Sequence, residues 1–152
     1  MVKGMGVTSS RSRGTGASSV LDAFGALDRR VLLVEDVMEQ REAAATVLRE
    51  LGYRVDEAAD GGQAVRSASK GLADVIVMDV SIPIIDGIAV TRRVRALGGP
   101  KRPHIIVTSG HSDARTRQLA FEAGCDQYIA KPLDLDALAA AVGAFFMKRD
   151  GR

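Results

Sequence analysis

Short hydrophobic runs that end in polar residues recur along the chain from about residue 29. Four of them are continuous: VLLVED (31–36), VIVMD (75–79), HIIVTS (104–109) and QYIAK (127–131). Such runs are typical of central strands in a parallel sheet that helices cover on both faces. The segment YRVDEA (53–58) alternates apolar and polar residues instead, as expected of an edge strand. The pattern predicts five strands, one of them at an edge.

Helical spacing appears between the strands and after the last one. Apolar residues fall at i, i+3, i+4 and i+7 in a first helix, at Ala44, Val47, Leu48 and Leu51. A middle helix repeats this spacing at Val90, Val94 and Leu97. A last helix, with Asp134 as its cap, places apolar residues at Leu135, Leu138, Val142 and Phe145. Alternating strands and helices predict a doubly wound α/β sheet.

The number of strands selects among the doubly wound folds. Five strands favour the flavodoxin-like order 2-1-3-4-5, which places the alternating second strand at an edge. The expected architecture is a (βα)5 three-layer sandwich around a five-stranded parallel sheet. Ligands bind this fold at the switch point between the first and third strands, beyond their carboxyl ends.

Composition supports a soluble globular domain. The chain has 152 residues, of which 46% are hydrophobic and 26% charged. No apolar stretch approaches the roughly 20 residues that cross a bilayer, so we expect no membrane association. The lone cysteine, Cys125, excludes an internal disulfide and agrees with a reducing compartment. We therefore expect a cytoplasmic protein.

Charge is distributed unevenly along the chain. Residues 1–20 contribute +3 through Lys3, Arg11 and Arg13, whereas the remaining residues carry 18 basic and 19 acidic side chains. The folded part is therefore not basic, which argues against nucleic-acid binding. The glycine- and serine-rich composition predicts a disordered or loosely ordered tail over residues 1–28, although a transit peptide is an alternative. The domain is expected over 29–148, followed by a C-terminal tail over 149–152.

Candidate chemistry lies at the strand ends. Glu35 and Asp36 end the first strand, Asp79 the third, Thr108 the fourth and Lys131 the fifth. Three carboxylates at one edge repel each other unless a cation such as Mg²⁺ lies between them. A lysine at the same edge can pair with a carboxylate or a phosphoryl group, and carboxylates act as nucleophiles toward phosphorus. Each residue alone could be an ordinary strand end or helix cap, but their combination predicts phosphoryl transfer.

Other chemical groups give weaker signals. His104 and His111 show no metal-ligand spacing with each other or with Cys125, so we expect structural or surface roles. A basic stretch on the third helix and its exit is expected to be a solvated face; it comprises Arg92, Arg93, Arg95, Lys101 and Arg102.

These motifs resemble the receiver domain of two-component response regulators over about residues 29–147. The resemblance rests on the acidic pair after the first strand, an aspartate before VSIPIIDG, a threonine after IIV and a lysine–proline pair after YIA: Glu35, Asp36, Asp79, Thr108, Lys131 and Pro132. These motifs are separated along the chain and occur in the order expected of that family.

The resemblance implies a role for each residue. Asp79 is expected to accept a phosphoryl group from a histidine kinase or a histidine phosphotransfer protein. Mg²⁺ is expected to bind Glu35, Asp36, Asp79 and the backbone carbonyl of Ser81. Lys131 is expected to pair with the phosphoryl group, and its bond to the following proline is expected to be cis.

The resemblance also implies a switch. Thr108 is expected to move toward the phosphoryl group while Tyr128 turns inward, which alters the face formed by the fourth helix, fifth strand and fifth helix. A downstream protein is expected to bind there, with the chain a monomer or weak homodimer. Ser81 and Gly110 lie where this family tunes the lifetime of the phosphoryl group. Because neither side chain is acidic or an amide, we expect slow unassisted hydrolysis.

Several functions remain open at this level. We expect a stand-alone receiver, since only MKRDGR follows the last helix, and a switch rather than an enzyme in the usual sense. One alternative is a receiver cut from a hybrid histidine kinase. A second is a pseudo-receiver that binds partners without being phosphorylated. A metal-dependent phosphatase would need a second aspartate two residues after Asp79, where Ser81 stands.

Overall fold

The computed structural model describes residues 28–111 and 113–151. The tail predicted over residues 1–28 therefore lies outside the described residues, except for Asp28. Within the described part of the chain, no helix is both long enough and apolar enough to span a bilayer.

A single five-stranded parallel sheet forms the middle layer. Its strands are β1 (Arg30–Val34), β2 (Arg54–Ala58), β3 (Val75–Asp79), β4 (His104–Ser109) and β5 (Gln127–Ala130). They are ordered β2-β1-β3-β4-β5 and all pair in parallel, which confirms the predicted fold and strand order. Every residue of β3 is buried, whereas the edge strand β2 is mostly exposed, as its alternating sequence predicts.

Five helices connect and follow the strands. They are α1 (Met38–Glu50), α2 (Gly61–Ala68), α3 (Gly87–Leu97), α4 (Ala114–Ala123) and α5 (Leu135–Arg149). Four of them begin after an aspartate whose carboxylate accepts hydrogen bonds from backbone N–H groups of the first turn: Asp60, Asp86, Asp113 and Asp134. The helix α1 begins after Val37 without a side-chain cap; its start borders the site described below.

The core has two halves, one on each face of the sheet. On one face α1 and α5 cover Val31, Leu33 and Val77, and on the other face α2, α3 and α4 cover Leu32, Ile76 and other strand residues. This division places alternate residues of each central strand in opposite halves. The strands are thus fixed on both faces, and their carboxyl ends are held at one edge of the sheet.

The last helix differs from its predicted pattern in one respect. Phe146 is almost fully buried, whereas Phe145, the predicted core residue, is only partly buried. Phe145 stacks instead on His104, with ring centroids 5.0 Å apart. The i+3 and i+4 positions of a helix both lie near the buried stripe, so the sequence spacing alone does not choose between adjacent aromatic residues.

The last helix also continues one residue into the stretch 149–152 that was expected to be a C-terminal tail. The helix α5 continues through Arg149, and Asp150 follows as its C-cap. The Asp150 carboxylate is buried and accepts hydrogen bonds from Arg29, at 3.1 Å from Nε and 3.0 Å from Nη2. The ordered chain therefore extends past residue 148. The hydrophobic pattern could not indicate this, because an ion pair rather than an apolar contact holds the end.

Candidate functional site

A cleft opens at the carboxyl ends of the central strands, with a volume of about 610 Å³. Its lining includes the three predicted acidic residues, the serine two residues after Asp79 and the lysine that follows β5: Glu35, Asp36, Asp79, Ser81 and Lys131. It lies beyond β1 and β3, at the predicted switch point of the sheet. Four of the five residues lie at or just after the ends of β1 and β3, which are neighbours in the sheet, and Lys131 follows β5, which is separated from β3 by β4.

Three carboxylates converge in this cleft. One oxygen each of Glu35, Asp36 and Asp79 lies within 4.8 Å of the other two. Glu35 and Asp79 are buried, while Asp36 is exposed at the mouth. Within residues 28–111 and 113–151 no other group of three His, Cys, Asp or Glu side chains comes together in this way, so His104, His111 and Cys125 form no such cluster. An all-oxygen set of three carboxylates fits Mg²⁺, which is a hard cation.

Asp79 is the central carboxylate. Its Oδ1 accepts a hydrogen bond from the backbone N–H of Ser81 at 3.1 Å, and its Oδ2 accepts one from Lys131 Nζ at 2.8 Å. Only 3% of the residue is exposed. The carboxylate is therefore held from two sides at the inner end of the cleft.

A glycine allows α3 to start beside Asp79. A Cβ placed on Gly87 would lie 2.1 Å from the carbonyl oxygen of Asp79, far closer than atoms can approach. The N–H of Gly87 also donates to the carbonyl of Val80 at 2.9 Å. The DG pair at the end of VSIPIIDG therefore combines a helix cap, Asp86, with the residue that permits this close approach.

Lys131 joins the carboxylates. Its Nζ lies 2.9 Å from Glu35 Oε1, 2.8 Å from Asp79 Oδ2 and 3.5 Å from Gln40 Oε1. Burial lowers the pKa of Lys131, but the hydrogen bonds and charges of Asp79 and Glu35 outweigh burial and raise the pKa above its ordinary value. The side chain is therefore an ammonium at neutral pH. The Lys131–Pro132 peptide bond is cis, as predicted.

Glu35 is fixed by the start of α1. Its Oε2 accepts a hydrogen bond from the N–H of Val37 at 3.1 Å. Its backbone carbonyl accepts one from Arg41 Nη1 at 2.9 Å, and Arg41 Nε also bonds Glu57 of β2 at 3.1 Å. The start of α1 has no side-chain cap, and the N–H of Val37 donates instead to the Glu35 carboxylate.

Neither of the two predicted switch residues lines the cleft. Thr108 pairs with Asp79 in the register of β3 and β4 and is buried. Tyr128, on β5, is partly buried against the core beneath α2, α3 and α4. Its hydroxyl donates a hydrogen bond to the carbonyl of His111, on the loop after β4.

The cleft also contains residues that were not predicted from the sequence. Gln40 contacts Lys131, and apolar walls come from Val37, Ala43, Leu133 and Leu135. Gln40 lies in the first turn of α1, five residues after Glu35, so the helical register of α1 could have indicated that it faces the cleft. The four apolar residues could not be identified from the sequence, because their pattern is that of ordinary helix and loop residues.

Known proteins share both the sequence and the fold. Residues 31–143 match the response regulator receiver domain family. The transcriptional regulatory protein PrrA of Mycobacterium bovis is 35% identical over 125 residues, which are 82% of this chain and 53% of PrrA. The chain therefore spans about half the length of this relative.

Two solved structures show the same fold. The receiver domain of the sensor histidine kinase PA1611 from Pseudomonas aeruginosa, with magnesium in its active-site cleft, is 35% identical with a TM-score of 0.69. The match covers 82% of this chain and 99% of that one. The yeast Ssk1 receiver domain, crystallised with the phosphotransfer protein Ypd1, has a TM-score of 0.74 at 22% identity, over 80% of this chain and 92% of that one. This chain belongs to the response regulator receiver domain family.

Proposed function

We propose that the chain is a Mg²⁺-dependent signalling switch that accepts a phosphoryl group on Asp79, in a two-component system or phosphorelay. The proposal rests on the groups that surround the Asp79 carboxylate. It bonds the Lys131 ammonium at 2.8 Å and lies with Glu35 and Asp36 in one acidic group, at the inner end of an open cleft.

Asp79 supplies the nucleophile. One of its carboxylate oxygens forms the new bond to phosphorus as the bond from phosphorus to a donor histidine nitrogen breaks, and the electron pair of that bond returns to the imidazole. Lys131 exchanges a carboxylate partner for a phosphoryl oxygen, because its ammonium is already positioned 2.8 Å from Asp79.

Glu35, Asp36, Asp79 and the backbone carbonyl of Ser81 are the groups that would hold Mg²⁺. When bound there, the ion would supply positive charge that offsets the negative charge of the transferring phosphoryl group. The magnesium reported in the PA1611 receiver supports this assignment. In our proposal the domain promotes its own phosphorylation and dephosphorylation and turns over no external small molecule, so it is not an enzyme in the usual sense.

Thr108 and Tyr128 transmit the change. The Thr108 hydroxyl bonds the phosphoryl group, and Tyr128 responds within the face formed by α4, β5 and α5. A downstream protein binds that face, and the phosphoryl donor is a histidine kinase or a histidine phosphotransfer protein. The Ssk1–Ypd1 complex supports such a donor for this fold. We further propose a cytoplasmic monomer or weak homodimer whose receiver does not itself bind nucleic acid.

A second context is a receiver that belongs to a hybrid histidine kinase. The 35% identity to the PA1611 receiver favours it. The chemistry at Asp79 is the same in both contexts, so this alternative changes the phosphoryl donor and the route of the signal but not the acceptor.

Intact mass spectrometry tests the proposal. The protein is incubated with acetyl phosphate in Mg²⁺ or in EDTA, beside an Asp79→Ala variant. We expect one added phosphoryl group on the parent in Mg²⁺ only, and none on the variant. A folded parent that gains no mass in Mg²⁺ would instead be a pseudo-receiver, and the face formed by α4, β5 and α5 would be a constitutive binding surface.

A further inference from the structure

Arg117 lies between two aromatic rings. Its guanidinium carbon is 5.5 Å from the ring centroid of Tyr128 and 5.3 Å from that of Phe121. Both distances fall within the roughly 6 Å over which a cation is attracted to the face of an aromatic ring. Arg117 and Phe121 are one turn apart on α4, whereas Tyr128 belongs to β5. The guanidinium therefore links α4 to the predicted switch residue of the neighbouring strand.

Tyr128 is also held at its other end. Its hydroxyl donates to the carbonyl of His111, on the loop that follows Thr108, and its ring packs against the buried residues beneath α2, α3 and α4. The loop after β4 thus fixes the hydroxyl, and Arg117 covers a face of the ring. Turning the ring to another rotamer would break both interactions.

We propose that Arg117 is a positioning residue for Tyr128, which it stabilises in the rotamer that bonds His111. In this way Arg117 sets how readily the ring moves when Asp79 changes state. The inference rests on the proposed function, because a movement of Tyr128 carries a signal only if Asp79 is phosphorylated. Loss of an exposed cation–π contact should change the ratio of the His111-bonded rotamer of Tyr128 to its other rotamers by about two- to fivefold.

Three variants separate this role from simple packing. Arg117→Met keeps a long unbranched side chain and removes the charge, whereas Arg117→Lys keeps a charge that can lie over the rings. Arg115→Met removes an exposed arginine from the same helix. Arg115 is two residues before Arg117 on α4, and residues two apart lie on different sides of a helix. Arg115 is therefore directed away from the ring of Tyr128.

NMR of the full chain with isotope-labelled tyrosine measures the rotamers, through three-bond couplings across the Cα–Cβ bond. Tyr53, which stacks on Phe146 at 5.1 Å, is the internal reference. We expect Arg117→Met to lower the ratio of the His111-bonded rotamer of Tyr128 to its other rotamers by about two- to fivefold. Arg117→Lys should restore most of it, and Arg115→Met should leave it unchanged. A ratio in Arg117→Met equal to that of the parent overturns the inference.

Addition of Mg²⁺ and beryllofluoride, a phosphoryl mimic, separates this inference from the proposed function. If the parent binds them and Tyr128 responds, an unchanged rotamer ratio in Arg117→Met counts against Arg117 alone. If the parent does not bind them, the proposed function fails, whatever the arginine variants show.

Discussion

Lys131 Nζ lies 2.8 Å from Asp79 Oδ2, although 52 positions separate the two residues in the sequence. The parallel sheet brings them together, because both residues lie at carboxyl ends of strands. The same ammonium also bonds Glu35 at 2.9 Å. One cation thus offsets part of the repulsion among three carboxylates.

Replacement of Lys131 by Met should destabilise the fold by about 1–3 kcal/mol at neutral pH, because it leaves buried carboxylates without their charged partner. The pKa of Lys131 is raised by folding, so its contribution to stability is fully present below its ordinary pKa of 10.5. That contribution is lost as the pH rises through the higher pKa of the folded state. Urea unfolding at several pH values measures the difference between variant and parent.

Mg²⁺ should stabilise Lys131→Met more than it stabilises the parent, since the ion binds a more negative cleft. Lys148→Met, an exposed change on α5, is the control and should alter neither stability nor the Mg²⁺ effect. Equal stability of Lys131→Met and the parent in EDTA would show that the three contacts of Lys131 contribute nothing measurable.

Replacement of Asp36 by Asn should change stability and Mg²⁺ affinity in opposite directions. In EDTA the variant should melt at a higher temperature than the parent, because one of three clustered carboxylates loses its charge. Its affinity for Mg²⁺ should fall by more than the roughly 10- to 100-fold that loss of an outer-shell partner costs. Thermal melts in EDTA and calorimetric Mg²⁺ titrations provide the two values. Unchanged affinity would exclude Asp36 as a ligand.

Replacement of Gly87 by Ala should destabilise the fold by about 1–3 kcal/mol or more, because the new Cβ would meet the backbone of Asp79 at 2.1 Å. The shift it forces should also slow phosphorylation of Asp79. Gly110→Ala is the matched control near the site, since a Cβ there has no heavy atom within 4 Å, and it should change stability by no more than about 0.5 kcal/mol. Urea unfolding of both variants checks this; equal stabilities would contradict the close approach of α3.

The phosphorylated protein should lose its phosphoryl group slowly. Ser81 and Gly110 carry neither a carboxylate nor an amide that could orient an attacking water beside Asp79. Release of inorganic phosphate after removal of excess acetyl phosphate measures the lifetime in Mg²⁺. Ser81→Asn should shorten this lifetime, while a half-life of seconds for the parent would contradict the expectation.

The hydrophobic pattern was sufficient to predict the sheet. Continuous apolar runs marked the buried strands, and the alternation in β2 marked an edge, so strand order followed from general rules of α/β folds. The acidic cluster followed as well, because residues at the ends of neighbouring strands must lie together. The positions of Glu35, Asp36 and Asp79 in the sequence and the order of β1 and β3 were enough to predict this cluster, whereas Lys131 follows β5 and reaches the cluster with its long side chain.

Features that depend on side-chain contacts between distant elements could not be predicted. The helical register of α1 indicates that Gln40 faces the cleft but not that it reaches Lys131, and the placement of Arg117 against Tyr128 requires the packing of α4 on β5. The bond from Arg29 to Asp150 extends the ordered chain past its apolar pattern. In each case the long polar side chain has many rotamers, and the sequence does not specify which partner it reaches.

Localisation of the phosphoryl group shows directly whether Asp79 is the acceptor. The protein is phosphorylated in Mg²⁺ and reduced with borohydride, which converts an acyl phosphate to an alcohol, and its peptides are then sequenced by tandem mass spectrometry. We expect the reduced residue to be Asp79, and we expect the Asp79→Ala variant to yield no reduced residue. A reduced carboxylate at Glu35 or Asp36 in the parent, or at no position in a folded protein saturated with Mg²⁺, would contradict this expectation.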